Sequence, residues 1–562
     1  MRKEMKWVLK GVALCLLVIF VVGLFFIGWF LWLYTRADFQ EPQLRLRATD
    51  YLLSEERDSL RRCGENTLLL NRYGLWEAKV GGTAVERGAA LGAMAHDLIY
   101  RQEQVFVEQI RDMIPSERYL RFLRACIAVF NRHMARHIPE EYRREIAAMA
   151  HFCTHDYDLF GTPYERQLNY HAAHDIGHTM QEYMLVGCSS FAAWGGETAD
   201  ETLLVGRNFD FYVGDEFARQ KLVLFVEPDE GYRFASITWP GMLGVVSGMN
   251  EKGLTVTLNA AKGALPTSSA LPISLLARHI LQYASTIDEA YRIASEHRTF
   301  VSESFLIGSA ADGAAAVIEK SPERIGLYRG HGQSLAVTNH YQSHTFAADP
   351  YNIENIAVSD SRYRHARLTE LLTEEAPLTP ERGASILRNR YGLGGEDIGL
   401  ANEMALNQSI AHHAVLFEPM ARRMWVSTSP WQAGAMLCYD LDEVFADTLP
   451  QRHSWNDEER IIGADTTFLA DEYPRIGSYR RRTKQLKEAT ANRVMLSENF
   501  VREYIALNPC FYETYDLVGD YYRAHTRMDE ALQMWRTALG KEIPRVAQRL
   551  AIEKKLKRYD TK

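Results

Sequence analysis

The chain predicts an α+β protein, two sheets flanked by helices, and three observations carry that prediction. From Cys188 onward the sequence breaks into short alternating apolar runs separated by Gly-rich turns, the texture of antiparallel sheet. The segments 64–187 and 451–562 instead repeat apolar residues at three- and four-residue spacing, the period of amphipathic helices. Ahead of both lies an unbroken apolar and aromatic run, Gly11 to Tyr34.

That first run is long enough to span a bilayer as a helix. Arg2, Lys3, Lys6 and Lys10 precede it, and Trp29, Trp32 and Tyr34 lie at its far end like an interfacial belt. A cleavable signal would have a shorter apolar core and small residues at its exit, whereas this exit is bulky throughout. Residues 1–36 therefore predict a cytoplasmic stub and an uncleaved single-pass anchor. Everything after Arg36 is then outside the cytoplasm, periplasmic in a bacterium. Residues 37–63 read as a charged, membrane-proximal linker.

Composition bounds the rest. With 562 residues, 47% apolar and 24% charged, the chain is a folded protein of more than one domain. A net charge of -8 and the lack of a basic stripe with interleaved aromatics argue against nucleic acid as a partner. Seven cysteines without a CxxC pair indicate neither a zinc ribbon nor a disulfide framework. The pair His174 and His178 shares a helical spacing, but no Glu follows the first His and Gly177 interrupts the helix. No metal and no cofactor are expected. His412 and His413 are expected to pack at the entry of a strand.

Within 64–187 the helices are expected over Val85 to Asp112, Ser116 to His137 and from Pro139 through His151. Strands follow over Leu222–Val226, Phe234–Ile237, Gly244–Val246 and Leu254–Leu258. Helices return at Leu271–Tyr283 and Ile287–His297. Late strands come at Ser304–Ile307, Ala314–Ile318, Leu335–Thr338, Ala414–Phe417, Arg423–Ser427 and Ala435–Tyr439. After about residue 450 the strands are expected to stop. Tyr515, Val518, Gly519, Tyr522, Ala531, Trp535 and Ala538 then sit where a tetratricopeptide helix pair wants its large, small and aromatic residues. One such pair is too short to stand alone, so it is expected to pack on the preceding domain or on a protein partner.

The chemistry centres on Gly187-Cys188. Cys188 opens a strand that turns at Gly195-Gly196-Glu197-Thr198 and returns through Leu203–Gly206 into Arg207-Asn208-Phe209-Asp210. One hairpin thus carries a thiol, a cation and a carboxylate. A thiol becomes a nucleophile when a neighbour favours thiolate or takes its proton. Cleavage before Cys188 would add an α-amino group, of pKa about 8, as the base.

The blocks Gly187-Cys188-Ser189-Ser190-Phe191 and Gly206–Asp210 resemble the N-terminal-nucleophile (Ntn) hydrolases, above all the isopenicillin N acyltransferase and choloylglycine hydrolase branch. Gly248–Leu254 through Leu258-Asn259 resembles that family's strand-turn-strand, and Thr338-Asn339-His340 and Asp360-Ser361-Arg362-Tyr363 resemble two later segments. The resemblance implies a four-layer αββα sandwich over 188–450, preceded by a pro-segment over 64–187 and followed by the helical tail over 451–562. It also implies self-cleavage between Gly187 and Cys188. Cys188 would be the nucleophile, and Arg207 would favour thiolate. Asp210 would hold the new ammonium, and Asn259 would donate to the oxyanion. Asn339 would contact the amino group or substrate, and Arg362 would steady the site. Choloylglycine hydrolases expose their Cys directly after the initiator Met, so the acyltransferase branch, with its internal Gly-Cys, fits better. The implied substrate is a small molecule with a linear amide or thioester, and the sequence admits both hydrolysis and acyl transfer. From another class, a catalytically idle membrane-anchored scaffold binding a partner through its tail is the alternative.

Overall fold

The computed structural model describes residues 2–172, 175, 185–212, 214–446 and 454–560. It opens with one helix, Arg2–Thr35, whose segment Leu14–Thr35 is long and apolar enough to cross a membrane.

Strands begin earlier than the sequence pattern indicates. β1 (Glu55–Arg57), β2 (Leu60–Cys63), β3 (Asn66–Leu70) and β4 (Trp76–Gly82) occupy the linker and the start of the segment expected to be helical. Their polar residues hid them. Arg61 is buried because its guanidinium donates to Asp97 and to the Met94 carbonyl. Glu77 is buried because it accepts from Asn71, Tyr439, Ser454 and the Trp455 amide. Such satisfied charges read as surface in a sequence. The helices Ala84–Met113, Glu117–Asn131 and Glu140–Ala150 follow as the spacing predicts.

The strands that follow are β5 (Leu185–Val186), β6 (Ser189–Ala193), β7 (Leu204–Phe209), β8 (Phe211–Tyr212), β9 (Leu222–Pro228), β10 (Phe234–Thr238), β11 (Ser247–Asn250) and β12 (Leu254–Ala260). The remainder are β13 (Glu303–Ser309), β14 (Ala314–Lys320), β15 (Ile325–Tyr328), β16 (Ser334–Val337), β17 (His413–Glu418), β18 (Arg423–Ser427), β19 (Met436–Asp440) and β20 (Asp457–Ile462). An 11-stranded sheet runs β1-β2-β3-β4-β9-β10-β11-β12-β13-β14-β15, and a 7-stranded sheet runs β16-β6-β7-β17-β18-β19-β20. All pairs in both are antiparallel except β4 with β9, which are parallel from Trp76↔Leu222 to Gly82↔Pro228. β20 lies beyond the point where strands were expected to end. Its sequence, Asp-Glu-Glu-Arg-Ile-Ile, is charged because it is an edge strand, where charge is tolerated and blocks further pairing.

Side-chain alternation decides what each face meets. Val223 and Phe225 of β9 face Val205, Val337, Val415 and Val426 of the smaller sheet in one core. Leu222, Leu224 and Val226 of the same strand turn the other way, onto Met94, Ile146, Leu276 and Ile280 of the helices. On the far side of the smaller sheet, Phe191, Leu204 and Leu416 pack against Leu368, Leu371, Ile386 and Leu387 of the helices Ser361–Glu374 and Pro380–Arg388.

Past residue 470 the helices Glu472–Asn492, Glu498–Leu507, Tyr512–Ala524, Met528–Leu539 and Val546–Tyr559 share a core of Leu486, Tyr504, Val518, Tyr521, Ala531 and Trp535. Gly519 is required there, since a Cβ would lie 2.5 Å from Trp535 Nε1. This unit docks on the sheets' loops through Asn508, which exchanges hydrogen bonds with the Leu400 backbone, and through Arg545 with Glu403 at 3.0 Å.

The helices before Cys188 are tied to those after it by charge. Arg87 contacts Glu145 at 3.0 Å, and Arg278 reaches the same carboxylate at 2.6 Å. All three side chains are buried. Burial pushes the Glu145 carboxyl up, but Arg278 and Arg87 outweigh it and hold it below the ordinary range. Glu145→Ala leaves two buried guanidiniums without their shared anion and is expected to cost about 3–5 kcal/mol. A denaturant titration checks this: the midpoint falls with an unchanged slope, while the exposed pair partner Arg57→Ala moves it by less than about 0.5 kcal/mol.

Candidate active site

Cys188 stands at the entry of β6, fully buried. β6 and β7 form the expected hairpin, registered from Ser189↔Asn208 to Ala193↔Leu204. The pairing extends one step further, since the Gly187 amide donates to the Asp210 carbonyl at 3.1 Å. The backbone therefore brings Cys188, Arg207 and Asp210 to one end of the hairpin.

Arg207 is also fully buried. It donates to Cys188 Sγ at 3.5 Å, to the Val246 carbonyl at 2.7 Å, to Ser247 Oγ at 2.5 Å and to the Leu258 carbonyl. Its guanidinium carbon lies 4.4 Å from the centre of the Phe209 ring. Burial pushes the Cys188 thiol up; Arg207 pulls it down, less strongly. With residues 187 and 188 joined, the thiol is thus held as S–H.

Asp210 is buried, and neither carboxylate oxygen has a hydrogen-bond partner among the described residues. Burial pushes its pKa up to about 8, against the opposing pull of Arg364 and Arg207. An unpaired buried carboxyl is costly, and such groups concentrate at functional sites.

Asn259, on β12, accepts from Ser190 Oγ at 2.7 Å, and its amide donates to the carbonyls of Val337 and Thr338, each at 3.3 Å. Asn339 follows β16 and donates to the Ala260 carbonyl at 2.9 Å. Both therefore border the end of β6.

Arg362 does not reach the site; it is exposed on the helix Ser361–Glu374. Arg364, two positions on, takes the place expected for it. Its guanidinium donates to the Cys188 carbonyl at 2.7 Å, to Ser189 Oγ at 3.0 Å, to Asn339 Oδ1 at 2.7 Å and to Asp360 at 2.6 Å. Ser361 and Arg364 are three apart, so they share the buried face of the helix, while position 362 points away. The spacing Asp360 to Arg364, one helical turn, was the signal available in the sequence.

His413 begins β17 and contacts Ser247 Oγ at 2.8 Å through Nε2, while its Nδ1 lies 2.9 Å from Nδ1 of His412. Burial keeps both rings well below the ordinary histidine pKa. They back the hydroxyl that Arg207 binds. His174 and His178 lie outside the described residues; between them Asp175 is buried and accepts from the Ile273 amide at 2.9 Å. Among the described residues no cluster of three His, Cys, Asp or Glu could hold a metal. An apolar cavity lies nearby, lined by Ile99, Phe106, Phe211, Phe217, Trp239 and Met242. Phe209, Phe211 and Trp239 stack almost parallel, from the guanidinium of Arg207 to that cavity.

Residues 197–428 match the model of a family described as acyl-coenzyme A:6-aminopenicillanic acid acyl-transferase. The segment contains Arg207, Asp210, Asn259, Asn339 and Arg364 and begins after Cys188. An uncharacterized protein of Archaeoglobus fulgidus is 26% identical over 278 residues, 44% of this chain and 44% of its own length. Protein dcd1A of Dictyostelium discoideum is 26% identical over 162 residues, 27% of this chain and 36% of its own. The chain thus spans less than half the length of either relative. Among solved structures, a Caenorhabditis elegans N-acylethanolamine-hydrolyzing acid amidase ortholog overlaps 42% of this chain and 93% of its own, with TM-score 0.30 and 15% identity. A mutant conjugated bile acid hydrolase from Clostridium perfringens overlaps 45% and 92%, with TM-score 0.30 and 12% identity.

The carboxyl of Asp210 has a pH signature. Its folded pKa is raised above the unfolded value near 4, so the folded chain binds the extra proton between the two. That contribution is fully present below about pH 4 and is lost as pH rises through about 8. In a Cys188→Ala background, Asp210→Asn is expected to remove a slope of up to about 1.4 kcal/mol per pH unit between pH 5 and 7. Denaturant midpoints of the two chains across that window check it.

Proposed function

We propose that this chain is a self-processing cysteine amidohydrolase or acyltransferase, cut between Gly187 and Cys188 and acting on linear amides or thioesters. One observation carries the proposal: Asp210, a buried carboxyl without a partner, sits where the backbone of Gly187 pairs. A new α-ammonium on Cys188 would supply the missing partner and draw Asp210 to its ionised form. That ammonium forms when the freed neutral amine takes the thiol proton, and the thiolate beside Arg207 then attacks the acyl carbon. Arg364 holds the Cys188 carbonyl and Asn339 in place while the main chain on the other side is released. Asn259, at the end of β12, is assigned to the substrate oxyanion, and a donor of that kind is worth about 3 kcal/mol in the transition state. Water or an amine resolves the acyl-enzyme.

The acyl part of the substrate is proposed to be apolar, on the strength of the aromatic stack Phe209–Phe211–Trp239 beside Arg207. The sandwich is read as helix, sheet, sheet, helix, with the part before Cys188 retained after cleavage through β4 and the Arg87–Glu145–Arg278 cluster. The helix Leu14–Thr35 is proposed as a single-pass anchor with its basic N-terminus cytoplasmic and the catalytic domain outside. The helical unit after residue 470 is proposed as a tetratricopeptide-like addition.

Gel analysis with N-terminal sequencing of the purified full-length protein tests the proposal. Two co-purifying fragments are expected, the second beginning at Cys188, with Cys188→Ala giving one uncut chain. A wild-type chain that stays uncut on prolonged incubation overturns it.

A further inference from the structure

Self-cleavage needs more than a thiol beside a carbonyl. As sulfur adds to the Gly187 carbon, negative charge collects on the Gly187 oxygen in a site closed to water, and something must bind it. The side chain there is Gln408. It is buried, and its Nε2 donates to the Gly187 carbonyl oxygen at 3.3 Å. The fit explains the glycine. A Cβ on residue 187 would lie 2.6 Å from Gln408 Nε2 and 3.0 Å from Oε1, so any side chain there displaces the amide. Gly187 is not among the glycines with positive φ, which leaves the approach of Gln408 as the reason for its identity.

The loop carrying Gln408 is held from two directions. Asn407 Oδ1 accepts from the Ser409 amide at 3.0 Å, and the Asn407 amide donates to the Asn389 carbonyl at 2.8 Å. Ser409 itself adopts φ 56°, a left-handed conformation that a serine takes only when its surroundings impose it. From outside, Arg480 of the helix Glu472–Asn492 donates to the Ser409 carbonyl at 3.0 Å. That guanidinium is itself fixed, lying 5.2 Å from the centre of the Trp431 ring and 3.2 Å from Asp215. Arg480 lies outside the segment 197–428 that matches the acyltransferase family model.

We infer that Gln408 is the oxyanion donor of the self-cleavage step, separate from Asn259, and that Arg480 of the C-terminal helical unit positions it. This rests on the self-processing proposal above. The Cys188 sulfur bonds to the Gly187 carbonyl carbon, the carbonyl π pair moves to oxygen, and Gln408 Nε2 closes on that oxygen. When the pair returns, the carbon–nitrogen bond breaks and the Cys188 nitrogen takes the thiol proton, leaving a thioester and a free amine. Water then adds its hydroxyl to the carbon and its proton to the sulfur, giving a Gly187 carboxyl and the Cys188 thiol. A donor that is long in the ground state and tightens on the tetrahedral oxygen stabilises mainly the transition state. The C-terminal unit thereby becomes part of the maturation apparatus.

The experiment follows the uncut full-length chain from cell-free synthesis and reads the cleavage half-time on gels from pH 5 to 8. Gln408→Glu keeps the shape and replaces the donor with an acceptor, and is expected to slow cleavage by about 10²–10³-fold near neutral pH. Its deficit relative to wild type is expected to shrink as pH falls, because a protonated carboxyl can donate again. Arg480→Ala is expected to slow cleavage by about tenfold through misplacement, with Arg480→Lys recovering part of the loss. A Gln408→Glu chain that cuts at the wild-type rate, or whose deficit is the same at every pH as a general folding defect would give, overturns the assignment while self-processing stands. A wild-type chain that never cuts, or a Cys188→Ala chain that does, removes self-processing itself.

Discussion

The cation of Arg207, buried between two sheets, is the constraint on which the rest of the site depends. A guanidinium out of water is costly unless its donors are used. Arg207 projects from the smaller sheet and spends its donors on the carbonyls of Val246 and Leu258 and the hydroxyl of Ser247, all next to or within strands of the larger sheet. The two sheets therefore meet in one alignment, the one that places β7 opposite β11 and β12. It also reaches the sulfur of Cys188 and lies over the Phe209 ring, while its Nε has no hydrogen-bond partner among the described residues. The group that registers the sheets is thus also the group that sets the electrostatics of the thiol, and neither role can be altered alone.

Arg364 extends the same logic along the chain. It joins the carbonyl of Cys188 to Asn339 and Asp360, so the backbone of Cys188 is anchored by a helix far away in sequence. Around these two cations the joined chain is at rest: the thiol is protonated, the Asp210 carboxyl is raised by burial, and the carbonyl of Gly187 already meets an amide. Both oxygens of that carboxyl and the Nε of Arg207 are buried without a hydrogen-bond partner among the described residues, and unsatisfied groups of this kind concentrate at functional sites. The parallel pairing of β4 with β9 builds the segment before Cys188 into the larger sheet.

Much of this was legible in the residues. Short runs bounded by turn residues located β6, β7, β9, β10 and β12 to β14, and most of these strands are buried on both faces. The hairpin from Cys188 to Asp210 followed from turn residues between two such runs. β1 to β4 and β20 were not legible. Arg61, Glu77 and Lys79 lie inside strands only because partners far along the chain satisfy them, and β20 is charged because it is an edge. From the sequence Arg362 was named and Arg364 was not considered, because the face that each presents depends on where the helix starts.

The sequence by itself determined the local chemistry: an apolar N-terminal helix, a thiol after a glycine, and a cation and a carboxylate returned to it by one short hairpin. These follow from periodicity and turn propensity, which act over a few residues. Only the tertiary structure decided which distant groups close on that hairpin. Arg364, Asn339 and Gln408 reach it from positions roughly 150 to 220 residues away, through helices and loops whose register follows from burying the apolar faces of two sheets. The carboxyl of Asp210 lacks a partner for the same reason, since desolvation belongs to the packed interior and to no local run of residues.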